Sequence, residues 1–233
     1  MEAGWPSTGR ESGTATFTEA ELPGLCEALA ARDPDLRRVV EAAGYPPFWS
    51  RPNTFESLVW FILEQQVSLA SARAALEKLR ALVGTISPET VRDLTEEELR
   101  AASFSRQKAG YVGGLAAELT GGGLDLRSLE ALPDAEVRRT LTRIRGVGNW
   151  TADVYLIMVL HRTDVFPGGD LAAVNGLKHL KGLPRSASTD EVSSLAEKWA
   201  PLRTVATMLV WHDYLARRSP PSTVGGPGTR DSG

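Results

Sequence analysis

Two short stretches hold residue types that could do chemistry. In the first, Pro167-Gly168-Gly169-Asp170 sets a lone carboxylate just ahead of the apolar-patterned run Leu171–Leu180. An aspartate in that position predicts an N-cap, whose oxygen accepts the first helical N–H groups and whose charge the helix dipole favours. A cap alone satisfies the pattern; a carboxylate that supports positive charge on a reacting partner satisfies it too. In the second, Gly146-Val147-Gly148 separates two helix-patterned runs and is followed by Trp150. Glycines permit positive φ and the close approach of another backbone. N–H groups that open the second helix point outward and suit an anion such as phosphate. A plain turn between antiparallel helices would need the same glycines.

The elements that must position these residues read as helices. Phe55, Leu58, Val59, Ile62 and Leu63 fall at helical spacing, with Thr54 placed to cap them. The pattern breaks at Gln65-Gln66-Val67, and Ser68 is placed to cap a second helix with Ala72, Leu76 and Leu79 on one face. Residues 87–102, 133–144 and 192–218 read as further amphipathic helices. No run alternates as a strand and no repeat recurs at a fixed period, so the expected fold class is all-α. Residues 1–16 and 219–233 are rich in Gly, Ser, Thr and Pro without apolar periodicity and are expected to be disordered, which leaves 17–218 as the folded domain.

Composition narrows the options. The chain has 233 residues, 42% hydrophobic and 24% charged, ordinary for a soluble globular protein. No apolar run reaches the length of a membrane span and no signal peptide is recognisable, so a cytoplasmic protein without membrane contact is expected. Cys26 is the only cysteine, which excludes an intramolecular disulfide, a zinc cluster and a four-cysteine iron–sulfur centre. His161, His179 and His212 are scattered without metal-ligand spacing. A net charge of −3 argues against a polyanion binder held by charge alone. Arg138, Arg139, Arg143 and Arg145 crowd the approach to the glycine turn, and on charge alone they read as a solvated helix face.

The order of segments is more specific than any one of them. LTRIRGVGNWTADVYLI, followed by Phe166 and PGGDL, resembles the helix-hairpin-helix, glycine/proline-rich loop and aspartate signature of DNA glycosylases. FILEQQVSLASA, SFSRQKAGYVGGLA and APLRTVATMLVWHDY match the corresponding segments of the DNA-3-methyladenine glycosylase II (AlkA-type) branch, over about residues 45–215. The resemblance implies two helical lobes with an active-site cleft between them. It also implies a monomeric, monofunctional glycosylase whose partner is double-stranded DNA containing alkylated bases, and which removes those bases by flipping them out, 3-methyladenine foremost. No cofactor is implied beyond a structural Na+ or K+ at the hairpin.

Carried onto matching positions, the resemblance makes Asp170 the catalytic aspartate and places Trp150 and Trp211 beside the base pocket. Val154 stands where a relative has tyrosine, which widens the pocket. Gln66 falls on the residue that wedges into the DNA stack, and Gly146, Val147 and Gly148 on the phosphate-binding hairpin. The main-chain carbonyls of Thr142, Ile144 and Val147 fall on those that hold a monovalent cation. Trp49, Trp60 and Phe61 are further aromatics open to the pocket, although on apolar helix faces they read as core; without the resemblance Trp150 and Trp211 read as core as well. Asp164 and Asp153 are weaker carboxylate candidates. The chemistry fits the residue types: a carboxylate stabilises an oxocarbenium-like sugar, and an indole face attracts a cationic alkylated purine. No lysine occurs across residues 109–177, and bifunctional relatives carry one where Trp150 stands. Two other readings remain: a non-catalytic helix-hairpin-helix DNA-binding module, and a glycosylase for another class of lesion.

Overall fold

The computed structural model describes residues 14–218. Its order is α1 (Leu22–Ala30), α2 (Pro34–Ala43), α3 (Phe55–Glu64), α4 (Leu69–Val83), α5 (Pro88–Arg92), α6 (Glu96–Ala101), α7 (Arg106–Thr120), a 3-10 turn (Arg127–Ala131), α8 (Asp134–Leu141), α9 (Asn149–Met158), α10 (Leu171–Leu180), α11 (Thr189–Ala196), a second 3-10 turn (Glu197–Trp199) and α12 (Arg203–Arg218). The all-α expectation holds among the described residues, where the only extended pairing is an isolated bridge between Thr16 and Arg162. None of these helices is long and apolar enough to cross a membrane.

The helices pack as two lobes. Helices α3 to α9 form one, with α7 against α3, α5 and α6, and α9 against α3 and α8. Helices α1, α2, α10, α11 and α12 form the other, so the chain begins in one lobe, builds the second and returns. The core is mainly apolar and runs through both lobes: Leu58, Phe61, Leu79, Val112 and Leu141 are fully buried in the first, and Leu29, Leu36, Leu177 and Leu209 are at most 1% exposed in the second. Close packing of α10 on α12 requires Gly176, whose absent Cβ would fall 2.6 Å from Val210 Cγ1. An ion-pair cluster reinforces this lobe, with Lys181 Nζ 2.7 Å from both Asp33 and Asp35 and the Trp199 indole donating to Asp33 at 2.8 Å.

Local rules account for most helix ends and for the corrections. Ser68 caps α4 by accepting the Ser71 N–H at 3.2 Å. Thr54 stands at the N-cap of α3, but its hydroxyl meets Ser57 Oγ at 3.4 Å rather than a backbone N–H. The single helix expected over 87–102 is two, because Ser87 and Thr95 each start a capping box. The helix expected over 192–218 breaks before α12, where Pro201 has no N–H to continue it. Most of the end segments expected to be disordered lie outside the described residues. Residues 14–16 are described, and there the Ala15 carbonyl accepts the Thr163 N–H at 3.0 Å.

Candidate active site

The lobes face each other across a cleft of about 1730 Å³. Asp170 stands on the α10–α12 wall as the N-cap of α10. Its Oδ1 accepts the Ala173 N–H at 2.7 Å and the Trp211 indole N–H at 3.0 Å, and its Oδ2 accepts the Trp150 indole N–H at 2.8 Å. Cap and cleft carboxylate are therefore one residue, and the two readings of its sequence position are compatible. Three donors from α9, α10 and α12 converge on one side chain. Each such bond contributes about 1.5–3 kcal/mol when the acceptor is charged, and together they remove its rotational freedom. The turn that delivers it is closed by the Asp170 N–H on the Pro167 carbonyl at 2.8 Å. Next to it Leu171, 76% exposed, lines the cleft.

The two tryptophans do more than offer ring faces. Their N–H edges orient Asp170, and Trp211 is itself seated edge-on against Trp49, centroids 6.0 Å apart. Val154, one turn after Trp150, also lines the cleft and is 3% exposed.

The opposite wall is built by the C-terminal end of α3 and by α7. Lys108 Nζ donates to the Leu63 and Gln65 carbonyls at 2.7 and 2.8 Å, closing the end of α3. The Gln65 side chain donates to the Gly146 carbonyl at 2.9 Å and to Thr151 Oγ1 at 3.1 Å, which ties α3 to the hairpin. Gln66 is then thrown outward at φ +58, a left-handed conformation that a non-glycine residue holds only at a cost. Val67 and Leu69 beside it are exposed apolar side chains, 47% and 62%. Arg51 stacks over Trp60, 4.3 Å from the ring centroid. Near them is Glu64, half-buried at the end of α3. Burial pushes its carboxyl up to about 7, against the pull of Arg51 and the Trp60 N–H and with the Asp170 charge pushing the same way.

Between the walls lies the hairpin, α8, residues 142–148 and α9. Its two glycines differ. Gly146 takes φ +94, and a Cβ there would fall 2.2 Å from Cγ of Tyr111, so α7 packing demands it. Gly148 is extended, with nothing within 4 Å of where a Cβ would be. It is the N-cap of α9 without a side-chain cap, leaving the first N–H groups of α9 open toward the cleft. Val147 between them is 4% exposed and anchors the turn in the core. The arginine group divides as well. Arg138 is no solvated side chain but pairs with buried Asp153 at 2.6 Å, whose carboxyl burial raises and Arg138 lowers. Arg139 pairs with Glu136 on the surface, while exposed Arg143 and Arg145 line the cleft. Asp164 is engaged by Arg203 at 2.8 Å, a tie between the α9–α10 loop and α12.

Sequence reasoning thus placed Asp170, Trp150, Trp211, Val154, Gln66 and the glycine turn, and all of them meet at this cleft. Of the three further aromatics left between pocket and core, Trp49 and Trp60 line the cleft while packing against the core, and Phe61 is core, fully buried. Sequence reasoning passed over Glu64 altogether. The available signal was a carboxylate closing an otherwise apolar helix directly before the Gln65-Gln66 break.

A helical hairpin whose second helix starts uncapped, with a carboxylate held beside it in a two-lobed cleft, describes a class of DNA repair proteins. The chain belongs to the HhH-GPD superfamily of base excision DNA repair proteins, which matches residues 59–202. It is 30% identical over 209 residues to DNA-3-methyladenine glycosylase 1 of Schizosaccharomyces pombe, covering 87% of this chain and 90% of the relative. It is 27% identical to a DNA-3-methyladenine glycosylase of Bacillus subtilis, of whose length it spans only 57%. Among solved structures, the fission yeast 3-methyladenine DNA glycosylase in complex with abasic DNA superposes with a TM-score of 0.75 at 30% identity, covering 81% of this chain and 95% of that one. A DNA-3-methyladenine glycosidase from Bacillus halodurans gives 0.70 at 32% identity, covering 83% of this chain and 91% of that one.

Proposed function

We propose that this protein binds duplex DNA, turns an alkylated base out of the stack into the cleft, hydrolyses its N-glycosidic bond and leaves an uncut abasic strand. The observation that carries this is the Asp170 carboxylate, fixed by three N–H donors at the floor of a tryptophan-lined cleft. As the bond to the base lengthens, the sugar gains positive charge, and a pre-oriented carboxylate stabilises that charge without reorganising. The same carboxylate orients the attacking water. The Trp150 and Trp211 rings face a cationic base, 3-methyladenine foremost, and small Val154 leaves room for larger adducts.

The other roles follow from position. The open N-terminus of α9 at Gly148 receives a DNA phosphate, with Arg143 and Arg145 beside it. Gln66, held outward, fills the gap left by the flipped base, with Val67 and Leu69 as apolar support. The carbonyls of Thr142, Ile144 and Val147 are oxygen donors of the kind Na+ or K+ takes; the Ile144 carbonyl accepts the Val147 N–H at 3.0 Å and keeps a second lone pair for the ion. A cation there adds positive charge beside the phosphate. Trp150 occupies the place of the amine that bifunctional relatives use, and the nearest lysine of the cleft, Lys108, spends its protons on two carbonyls. The enzyme therefore acts through water. It works as a monomer and needs no further cofactor.

The test is the identity of the product. Duplex DNA treated with a methylating agent and incubated with the protein releases free 3-methyladenine, read by chromatography. Release of no modified base, with tight DNA binding intact, would instead favour a binding module.

A further inference from the structure

Asp170 is not the only carboxylate of the cleft, and the second one sits in an opposite setting. Asp170 accepts three N–H bonds, whereas Glu64, at the end of α3, stands half-buried beside Trp60 and Arg51 and lines the same cleft. The mechanism above leaves it unused. Yet the two carboxylates line one cleft from different lobes, close enough that the Asp170 charge acts on Glu64. Paired carboxylates in unlike environments divide acid from anion.

We propose that Glu64 is the proton donor to the leaving base, and that it extends the enzyme's substrates from cationic alkylated purines to neutral purine adducts. This rests on the glycosylase reading of the same cleft. A cationic base departs as a neutral molecule and needs no acid. A neutral base departs as an anion unless a ring nitrogen is protonated as the bond breaks. In the proposed step the electron pair of the C1′–N9 bond goes to the base, and Glu64 gives its proton to a base ring nitrogen. Water adds to C1′ and releases a proton to Asp170 or solvent, and Glu64 is reprotonated from water. The charged groups that line the cleft with it are Arg51 before α3, Lys108 of α7, Arg143 and Arg145 of the hairpin, Asp170 ahead of α10 and Arg218 of α12, and those that act on its carboxyl are Arg51 and Asp170. Of these, Arg51 favours the anion and Asp170 the acid, while burial favours the acid most, so the proton is retained to about pH 7.

The experiment compares single-turnover excision of ethenoadenine, a neutral adduct, with that of cationic 7-methylguanine across pH 5.5–8.5. Because the acid form works, wild-type ethenoadenine excision falls as pH rises through about 7, and 7-methylguanine excision does not share that limb. Glu64→Gln removes the limb and lowers the ratio of neutral to cationic excision by about 100-fold. Glu64→Asp, a shorter acid, restores part of the ratio. Superimposable pH profiles for the two substrates, an unchanged ratio in Glu64→Gln, or a wild-type enzyme inert on ethenoadenine would each overturn the role of Glu64. Absence of excision on both substrates would overturn the glycosylase reading itself.

Discussion

The two walls of the cleft use one functional group in two ways. On the α10–α12 wall a carboxylate is surrounded by donors: the Asp170 oxygens take the Ala173, Trp211 and Trp150 N–H groups at 2.7–3.0 Å. On the α3 wall, burial is the main influence on a carboxylate and holds it up to about 7. The first arrangement fixes the orientation of a carboxylate, the second favours its protonated form. Neither role follows from the residue type. Each follows from which N–H groups the fold aims at it and how much water it excludes.

The contrast can be broken most severely at Asp170. Asp170→Asn keeps the shape and an oxygen for the cap but loses the charge, and its amide cannot accept from both indoles. Base release falls by about 100- to 1000-fold, while affinity for DNA bearing an abasic-site mimic is retained, as read by single-turnover kinetics and equilibrium binding. Near-normal release would detach Asp170 from the reaction. A smaller effect separates the two duties of the tryptophans. Trp150→Phe keeps a ring face and deletes the 2.8 Å bond to Oδ2, so excision slows about 10-fold, equivalent to ~1.4 kcal/mol. If the ring face alone matters, Phe behaves as wild type.

The two glycines of the hairpin sharpen the comparison further, since a Cβ would meet a neighbouring side chain at only one of them. Gly148→Val blocks the open N-terminus of α9 and weakens binding to undamaged duplex about 10-fold, with little change in thermal unfolding. Gly146→Ala drives a methyl into the Tyr111 ring and destabilises the fold by about 1–3 kcal/mol. Equal effects of both variants on binding and stability would show that the turn works as one unit.

What could be read from sequence was what local rules control. Asp170 as an N-cap, Ser68 at the start of α4 and a glycine turn between two helices each depend on a few adjacent residues. What escaped depends on distant ones. Trp60 and Glu64 lie in a run whose apolar spacing reads as plain core, and only the crossing of α3 with α7 and α9 turns their side of the helix into a wall of the cleft. The Gln65 bond to Gly146, across the lobe from α3 to the hairpin, has no local signature. Nor has the Tyr111 ring that makes Gly146 obligatory. The split between Arg138, paired with a buried carboxylate, and Arg143, lining the cleft, likewise depends on where Asp153 is buried.

In the proposed reaction water, directed by Asp170, is the nucleophile at the sugar. One labelled DNA strand holding a single alkylated purine in duplex tests this directly, incubated with wild-type protein with and without borohydride. The expected result is a full-length strand that breaks only after alkali, and no covalent protein–DNA band. A borohydride-trapped band, or strand cleavage without alkali, would contradict it and would place an amine at the sugar, with Lys108 the first lysine to replace.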